Sequence, residues 1–153
     1  MKTRLAEGEE DKEFLFSVYA GSREEEMSLW GWLEDQKKQF LYMQHEAQQR
    51  FYQQQYPELR YEIILVDEKR AGRVAVVQME EELVLVDIIL SAEYQNRGIG
   101  TCFLRNLQCR ASEKDMSVRL SVLNDSRAKK FYEQLGFRVI GESNIYTMMK
   151  WST

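Results

Sequence analysis

Gln95-Asn96-Arg97-Gly98-Ile99-Gly100 joins the apolar run Leu83-Val84-Leu85-Val86-Asp87-Ile88-Ile89-Leu90 to a segment with helical spacing of Phe103, Leu104, Leu107 and Ala111. A strand that feeds a glycine-containing loop and opens straight into a helix has a definite chemical consequence. The first helical turn leaves backbone N–H groups without partners, at the positive end of the helix dipole. Glycine admits unusual dihedrals and removes the β-carbon that would keep a ligand from those N–H groups. Such a loop binds phosphate or pyrophosphate, and Arg97 can add a charge-assisted contact. It is not a P-loop, because no Gly-Lys-Ser/Thr follows, and Phe103 stands where a dinucleotide fingerprint would have its third glycine. On these residues alone, a plain strand-to-helix turn explains the loop as well as a ligand does.

Outward from the loop, the pattern alternates between strand and helix periods. On the C-terminal side, Val118–Leu123 reads as a strand, Ser126–Leu135 as a helix capped by Gly136, and about 137–141 and 146–151 as two closing strands. On the N-terminal side, 61–66, 73–79 and 83–90 form an antiparallel meander with polar turns at Asp67–Arg70 and Glu80–Glu82. Further back, residues 3–6 suggest a short strand, and 9–21 and 35–55 suggest two helices. Phe40, Tyr42, Met43, Ala47, Phe51 and Tyr52 would give the second helix its apolar stripe, and the lone proline, Pro57, ends it.

The chain has 153 residues, a formal net charge of −4 and 44% hydrophobic residues, which describes a globular protein of ordinary domain size. The acidic balance argues against nucleic acid as the main partner. Cys102 and Cys109 stand two turns apart in one expected helix, too far for a disulfide, and read as small core hydrophobes. With one histidine, His45, distant from both, no metal-ligand cluster can be drawn. His45 itself reads as exposed or satisfied by a partner. The N-terminus lacks an apolar signal region and no run of roughly 18 apolar residues occurs, so the expectation is a cytoplasmic, reducing setting and no membrane partner.

A resemblance sharpens the loop. Gln95-Asn96-Arg97-Gly98-Ile99-Gly100 resembles the Gln/Arg-x-x-Gly-x-Gly/Ala motif of the GNAT superfamily of acyl-CoA N-acyltransferases, and Ile88–Tyr94 is similar to that family's fourth strand and its exit. Farther on, Ala128-Lys129-Lys130-Phe131-Tyr132-Glu133-Gln134-Leu135-Gly136-Phe137 resembles its helix carrying Phe-Tyr-x-x-x-Gly-Phe. The likeness covers residues 60–151 well and the first 55 in outline. It implies an α/β fold with a central mixed sheet of six to seven strands, flanked by about four helices and splayed at the fourth and fifth strands. The whole chain, 1–153, would be a single domain, with 1–57 a helical acceptor-side region and 58–153 the cofactor-binding core.

The same resemblance implies roles. Acetyl-CoA is the acyl donor, with no metal, and the acceptor is a small-molecule, peptide or protein amine. The main chain of Ile88, Ile89 and Leu90 would pair with the pantetheine arm. An amide near Ile89 or Leu90 would face the thioester oxygen. Gln95 and the backbone from Asn96 through Arg97, Gly98, Ile99 and Gly100 to Thr101 would hold the pyrophosphate. Tyr132 matches the family's usual general acid; core packing is its competing explanation. The family's asparagine before the last helix has no clean match here. Asn124 and Ser126 are candidates for that cofactor contact, or simple helix caps.

Asp87 is an isolated carboxylate in an apolar strand beside the expected thioester. It is read either as the general base, acting through water, or as an orienting side chain bonded to a neighbouring loop. Glu80, Glu81 and Glu82 read as solvated turn residues. Trp30 and Trp32 cannot share one helical face, and one of them could line an acceptor cleft or an oligomer interface; a homodimer is left open. The leading expectation is an N-acetyltransferase using direct attack in a ternary complex. The alternative is a catalytically silent acyl-CoA-binding sensor or interaction module.

Overall fold

The computed structural model describes residues 1–153. In chain order the elements are strand β1 (Lys2–Leu5), helices α1 (Gly8–Ser22), α2 (Glu24–Met27) and α3 (Glu34–Gln55), and strands β2 (Tyr61–Val66), β3 (Lys69–Gln78) and β4 (Glu82–Leu90). Helix α4 (Ile99–Glu113), strand β5 (Ser117–Leu123), helix α5 (Ala128–Gln134) and strands β6 (Arg138–Glu142) and β7 (Tyr146–Trp151) follow. The strands form one seven-stranded mixed sheet, ordered β1-β2-β3-β4-β5-β7-β6. The α/β mixed-sheet class is as expected, with five α-helices rather than about four. No helix is long and apolar enough to cross a membrane. The chain divides into two compact units, Met1–Ala75 with Asp87–Asn96, and Val76–Val86 with Arg97–Thr153.

In the first unit, β1 and β3 flank β2 in antiparallel register. Asp67 and Glu68 both take positive φ, 51° and 65°, the geometry of a two-residue hairpin turn. So tight a turn lets β3 begin at Lys69, not at Arg73 as the polar run suggested. Asp11, in the first turn of α1, is buried and accepts hydrogen bonds from Arg4, Arg70 and the Glu7 N–H, tying the helix start to β1 and to the hairpin. The Arg4 guanidinium first of all holds this carboxyl well below the usual carboxylate range. Tyr19, Met27 and Leu41 form a core cluster against which Phe16, Ala20, Phe40 and Ile89 pack.

The apolar stripe expected on α3 is not its buried face. Leu41 and His45 are buried, with Gln48, Gln49 and Tyr52 partly so, whereas Tyr42, Met43 and Phe51 are exposed. The reason lies on β3, where a buried arginine draws polar partners inward from the helix. Close packing also governs Gly72: a β-carbon there would come within 2.5 Å of the Ile89 carbonyl oxygen. No other residue lets β3 and the end of β4 approach so closely.

In the second unit, the start of β4 runs parallel to β5, from Glu82↔Ser117 to Leu85↔Leu120. β7 lies antiparallel between β5 and β6. Leu83, Val84 and Leu85 are all buried, as a strand covered on both faces requires. Helix α4 buries Phe103, Leu104, Leu107 and Ala111 and packs on β5. Gln108 Nε2 donates to the Leu135 carbonyl (2.9 Å), joining α4 to the end of α5. Cys102 and Cys109 are exposed, not core. Their spacing does place them on one face, but it is the opposite one to the buried Phe103–Leu107 stripe.

Candidate functional site

Gly98 caps α4 at φ 79°, a left-handed conformation that glycine tolerates, and no side chain caps this helix. The first helical bond runs from the Cys102 N–H to the Gly98 carbonyl (2.9 Å), which leaves the preceding first-turn amides to outside partners. No acidic residue occupies that turn. A β-carbon at Gly98 would meet nothing within 4 Å, and one at Gly100 only the Phe131 ring edge at 3.8 Å. The loop therefore offers an open, amide-lined surface that suits an anion. Asn96 also adopts positive φ, 61°. Gln95 Nε2 instead donates to the Leu90 carbonyl (3.0 Å), fixing the strand exit.

On α5, Tyr132 is buried, its ring tilted against Phe131 (5.3 Å between centroids) and edge-on to Phe137 (5.7 Å). Its backbone carbonyl accepts from the Leu135 and Phe137 N–H groups and closes the helix. Both residues named before this helix have structural partners. Asn124 donates to the Ser143 carbonyl (3.0 Å) and accepts from Thr147 Oγ1 (2.7 Å), and Ser126 Oγ accepts the Ala128 N–H (3.1 Å) at the helix start.

In the first unit, Asp87 belongs to a buried polar cluster. Its Oδ2 lies 2.6 Å from Arg73 Nη2 and accepts the Tyr61 hydroxyl at 3.0 Å. Gln49 Nε2 donates to the Tyr61 oxygen (3.2 Å). Arg73 is fully buried and lies over the rings of Tyr61 (4.9 Å) and Tyr19 (5.6 Å). Arg73 Nη1 donates to the Leu15 carbonyl and to His45 Nε2, and Nη2 also donates to Gln48 Oε1. Because Arg73 has only donors, His45 Nε2 must be an acceptor, so the imidazole is neutral with its proton on Nδ1. Burial, then the Arg73 charge, lowers the His45 pKa from 6.5 to about 4. Burial also raises the Asp87 carboxyl above its ordinary value, against the opposing pull of Arg73, Tyr61 and the Ile88 N–H. An uncompensated charge here would be expensive to desolvate; these partners answer it, while Arg73 Nε and His45 Nδ1 have none.

Sequence reading singled out Asp87 and missed Arg73. A signal was present: Arg73 is a lone cation in Ala71-Gly72-Arg73-Val74-Ala75-Val76-Val77, just as Asp87 is a lone anion in the next strand. Opposite lone charges on consecutive apolar strands point to each other. His45, read as exposed or partner-satisfied, is buried, with Nε2 satisfied by Arg73 and Nδ1 without a partner. Trp30 and Trp32 do meet, at 5.3 Å, because Gly31 at φ 66° turns the chain between them; both rings also stand edge-on to Phe40.

Comparison with known proteins fits this geometry. PaiA N-acetyltransferase from Thermoplasma acidophilum, solved in complex with coenzyme A, matches over 100% of both chains at 18% identity and a TM-score of 0.69. An acetyltransferase from Bacillus subtilis, solved in complex with CoA, matches over 99% of this chain and 98% of its own, at 11% identity and a TM-score of 0.62. A GNAT family acetyltransferase from Elizabethkingia anophelis with acetyl-CoA bound covers 68% of this chain and 82% of its own, at 15% identity and a TM-score of 0.58. At such identities the likeness is one of fold. No curated protein matches the sequence. The family model "Acetyltransferase (GNAT) domain" matches residues 22–149, and the chain belongs to that acetyltransferase family.

Proposed function

We propose that the protein transfers the acetyl group of acetyl-CoA to a primary amine by direct attack in a ternary complex. In this reading residues 1–153 act as one domain, with 1–57 serving the acceptor and 58–153 holding the donor. The observation that carries it is the uncapped, glycine-opened start of α4 in a chain of this family, a place where a diphosphate can be held by backbone amides alone. The amides of Asn96 to Thr101 would take the pyrophosphate, with Arg97 adding charge, and the main chain of Ile88 to Leu90 would take the pantetheine arm and the thioester oxygen. Gln95 would shape the loop from its bond to Leu90. Asn124 and Ser126 would reach the donor only by exchanging their present partners, Thr147 and Ala128. A net charge of −4 favours a cationic amine over nucleic acid, and a reducing, cytoplasmic setting suits two exposed thiols.

The bound donor supplies an electrophilic carbonyl carbon and a thiolate leaving group. A primary amine is protonated near neutral pH, so one proton must leave before the nitrogen can attack. Asp87 is assigned that proton, received through water; its burial supports the role by strengthening its hold on a proton. The nitrogen–carbon bond then forms as the carbon–sulfur bond breaks. Tyr132 gives its hydroxyl proton to the departing sulfur, and the second amine proton goes to solvent, from which Tyr132 is replenished.

One observation favours the silent acyl-CoA-binding module instead: the Tyr132 ring is packed as a core aromatic between Phe131 and Phe137. Thiol release from acetyl-CoA, screened against amines and peptides, separates the two. The enzyme reading expects turnover with at least one amine, and Tyr132→Phe lowering kcat about 10²-fold with acetyl-CoA affinity retained. Donor binding without turnover across the panel selects the silent module.

A further inference from the structure

We propose that Arg73 is the positioning residue for proton transfer at Asp87, holding the carboxylate by one oxygen so that the other is presented for chemistry. The inference rests on the reading of Asp87 as proton acceptor. Its basis is an asymmetry in the cluster. Arg73 Nη2 and the Tyr61 hydroxyl converge on the single oxygen Oδ2, and the Ile88 N–H is a further, main-chain donor to the carboxylate. Arginine–carboxylate pairs frequently use both oxygens, in the bidentate geometry the fork favours; here the two donors share one. Moreover, replacing a buried ion pair as a whole by apolar residues is often neutral or stabilising, so stability alone is a weak reason to keep this one.

The clamp is itself clamped. Each Nη atom of Arg73 meets two acceptors: Leu15 O and His45 Nε2 for Nη1, Gln48 Oε1 and Asp87 Oδ2 for Nη2. Only Nε lacks one. The guanidinium also lies over the Tyr61 and Tyr19 rings, which pack against it. The groups facing Asp87 are Arg73 from β3 and Tyr61 from β2, and behind Arg73 stand His45 and Gln48 from α3 and Tyr19 from α1. None is acidic. His45, held neutral, adds no second positive charge, so the full charge of Arg73 acts on Asp87. His45 thus has a job of its own: a hydrogen-bond acceptor that keeps Arg73 aimed.

The experiment follows the Asp87 carboxyl carbon by NMR across pH in the full chain with no ligand, alongside the pH profile of thiol release with the best amine of the screen. Arg73→Gln should move the Asp87 titration upward by at least one pH unit, and with it the acid limb of kcat/KM. Arg73→Lys should restore part of both. If Arg73→Gln does not fold, His45→Leu against His45→Gln tests the same clamp, since glutamine keeps an acceptor and leucine removes it. An Asp87 titration and acid limb unchanged in Arg73→Gln, or equal in the two His45 variants, overturn the proposal. Asp87→Asn distinguishes the levels. Full activity in that variant removes Asp87 as proton acceptor, and the role of Arg73 with it. Lost activity with an unmoved Arg73→Gln profile removes only Arg73.

Discussion

The two units bury polarity in different ways. In the first, ionisable side chains are placed inside: Asp11, His45 and Arg73 are all buried, and each is held by partners from other elements. In the second, the buried polar residues are Gln108, Ser117 and Thr147, all neutral, and the chemistry on offer is carried by main-chain amides at the start of α4. Side-chain charge gives a site a proton affinity that can be tuned, but it ties stability to pH and to every partner. Backbone amides give an anion site that no titration disturbs and that single side-chain changes barely touch. The proposed function calls on both, with Asp87 as proton acceptor and the α4 amides as the hold on the donor.

The contrast breaks most visibly at Arg73. Arg73→Leu leaves Asp87 buried without its cation and should lower unfolding free energy by about 3–5 kcal/mol, read by urea denaturation. The double variant Arg73→Leu/Asp87→Leu should be milder than Arg73→Leu alone; equal losses would mean that the cluster is not coupled. Next is pH. His45 has a lowered folded pKa, so its contribution is complete above pH 6.5 and is lost as pH falls toward about 4. The loss amounts to no more than about 3 kcal/mol. Asp87 works in the opposite sense, its raised pKa favouring the fold at low pH. The difference between wild type and His45→Gln isolates the imidazole, and a flat difference curve from pH 7 to 4 would contradict its buried neutrality. Smallest is Gly98→Ala. With open space around it, the change should cost only about 1 kcal/mol through its positive φ, and it should weaken coenzyme A binding with no change in the pH curve. A pH-dependent effect there would erase the distinction between the units.

Element order was legible because strand and helix periods alternate cleanly around Pro57 and the glycine loop. Boundaries failed where turn geometry mattered, as at Asp67-Glu68, whose paired positive φ values the residue types alone did not suggest. The inner face of α3 was illegible for a better reason. Apolar spacing identifies a buried face only when the core is apolar, and here the facing strand brings Arg73, so His45 and Gln48 turn inward while Tyr42 and Met43 turn out. At the candidate site, Asp87 stood out as a lone charge, whereas Arg73 needed the comparison of two strands. Tyr132 was visible only through the Phe131-Tyr132-Gly136-Phe137 pattern, since a buried tyrosine beside two phenylalanines looks like packing.

The two exposed cysteines of α4 have a practical consequence. Seven residues of helix separate Cys102 from Cys109 by about 10 Å along the axis and return nearly to the same side. A bifunctional thiol reagent of that span would staple the helix from its first turn to its third. With Cys109→Ser, a fluorophore on Cys102 alone would sit one helical turn from Gly98 and report any anion that settles there. One substitution and one label thus make Cys102 an optical gauge for the loop proposed to hold the donor.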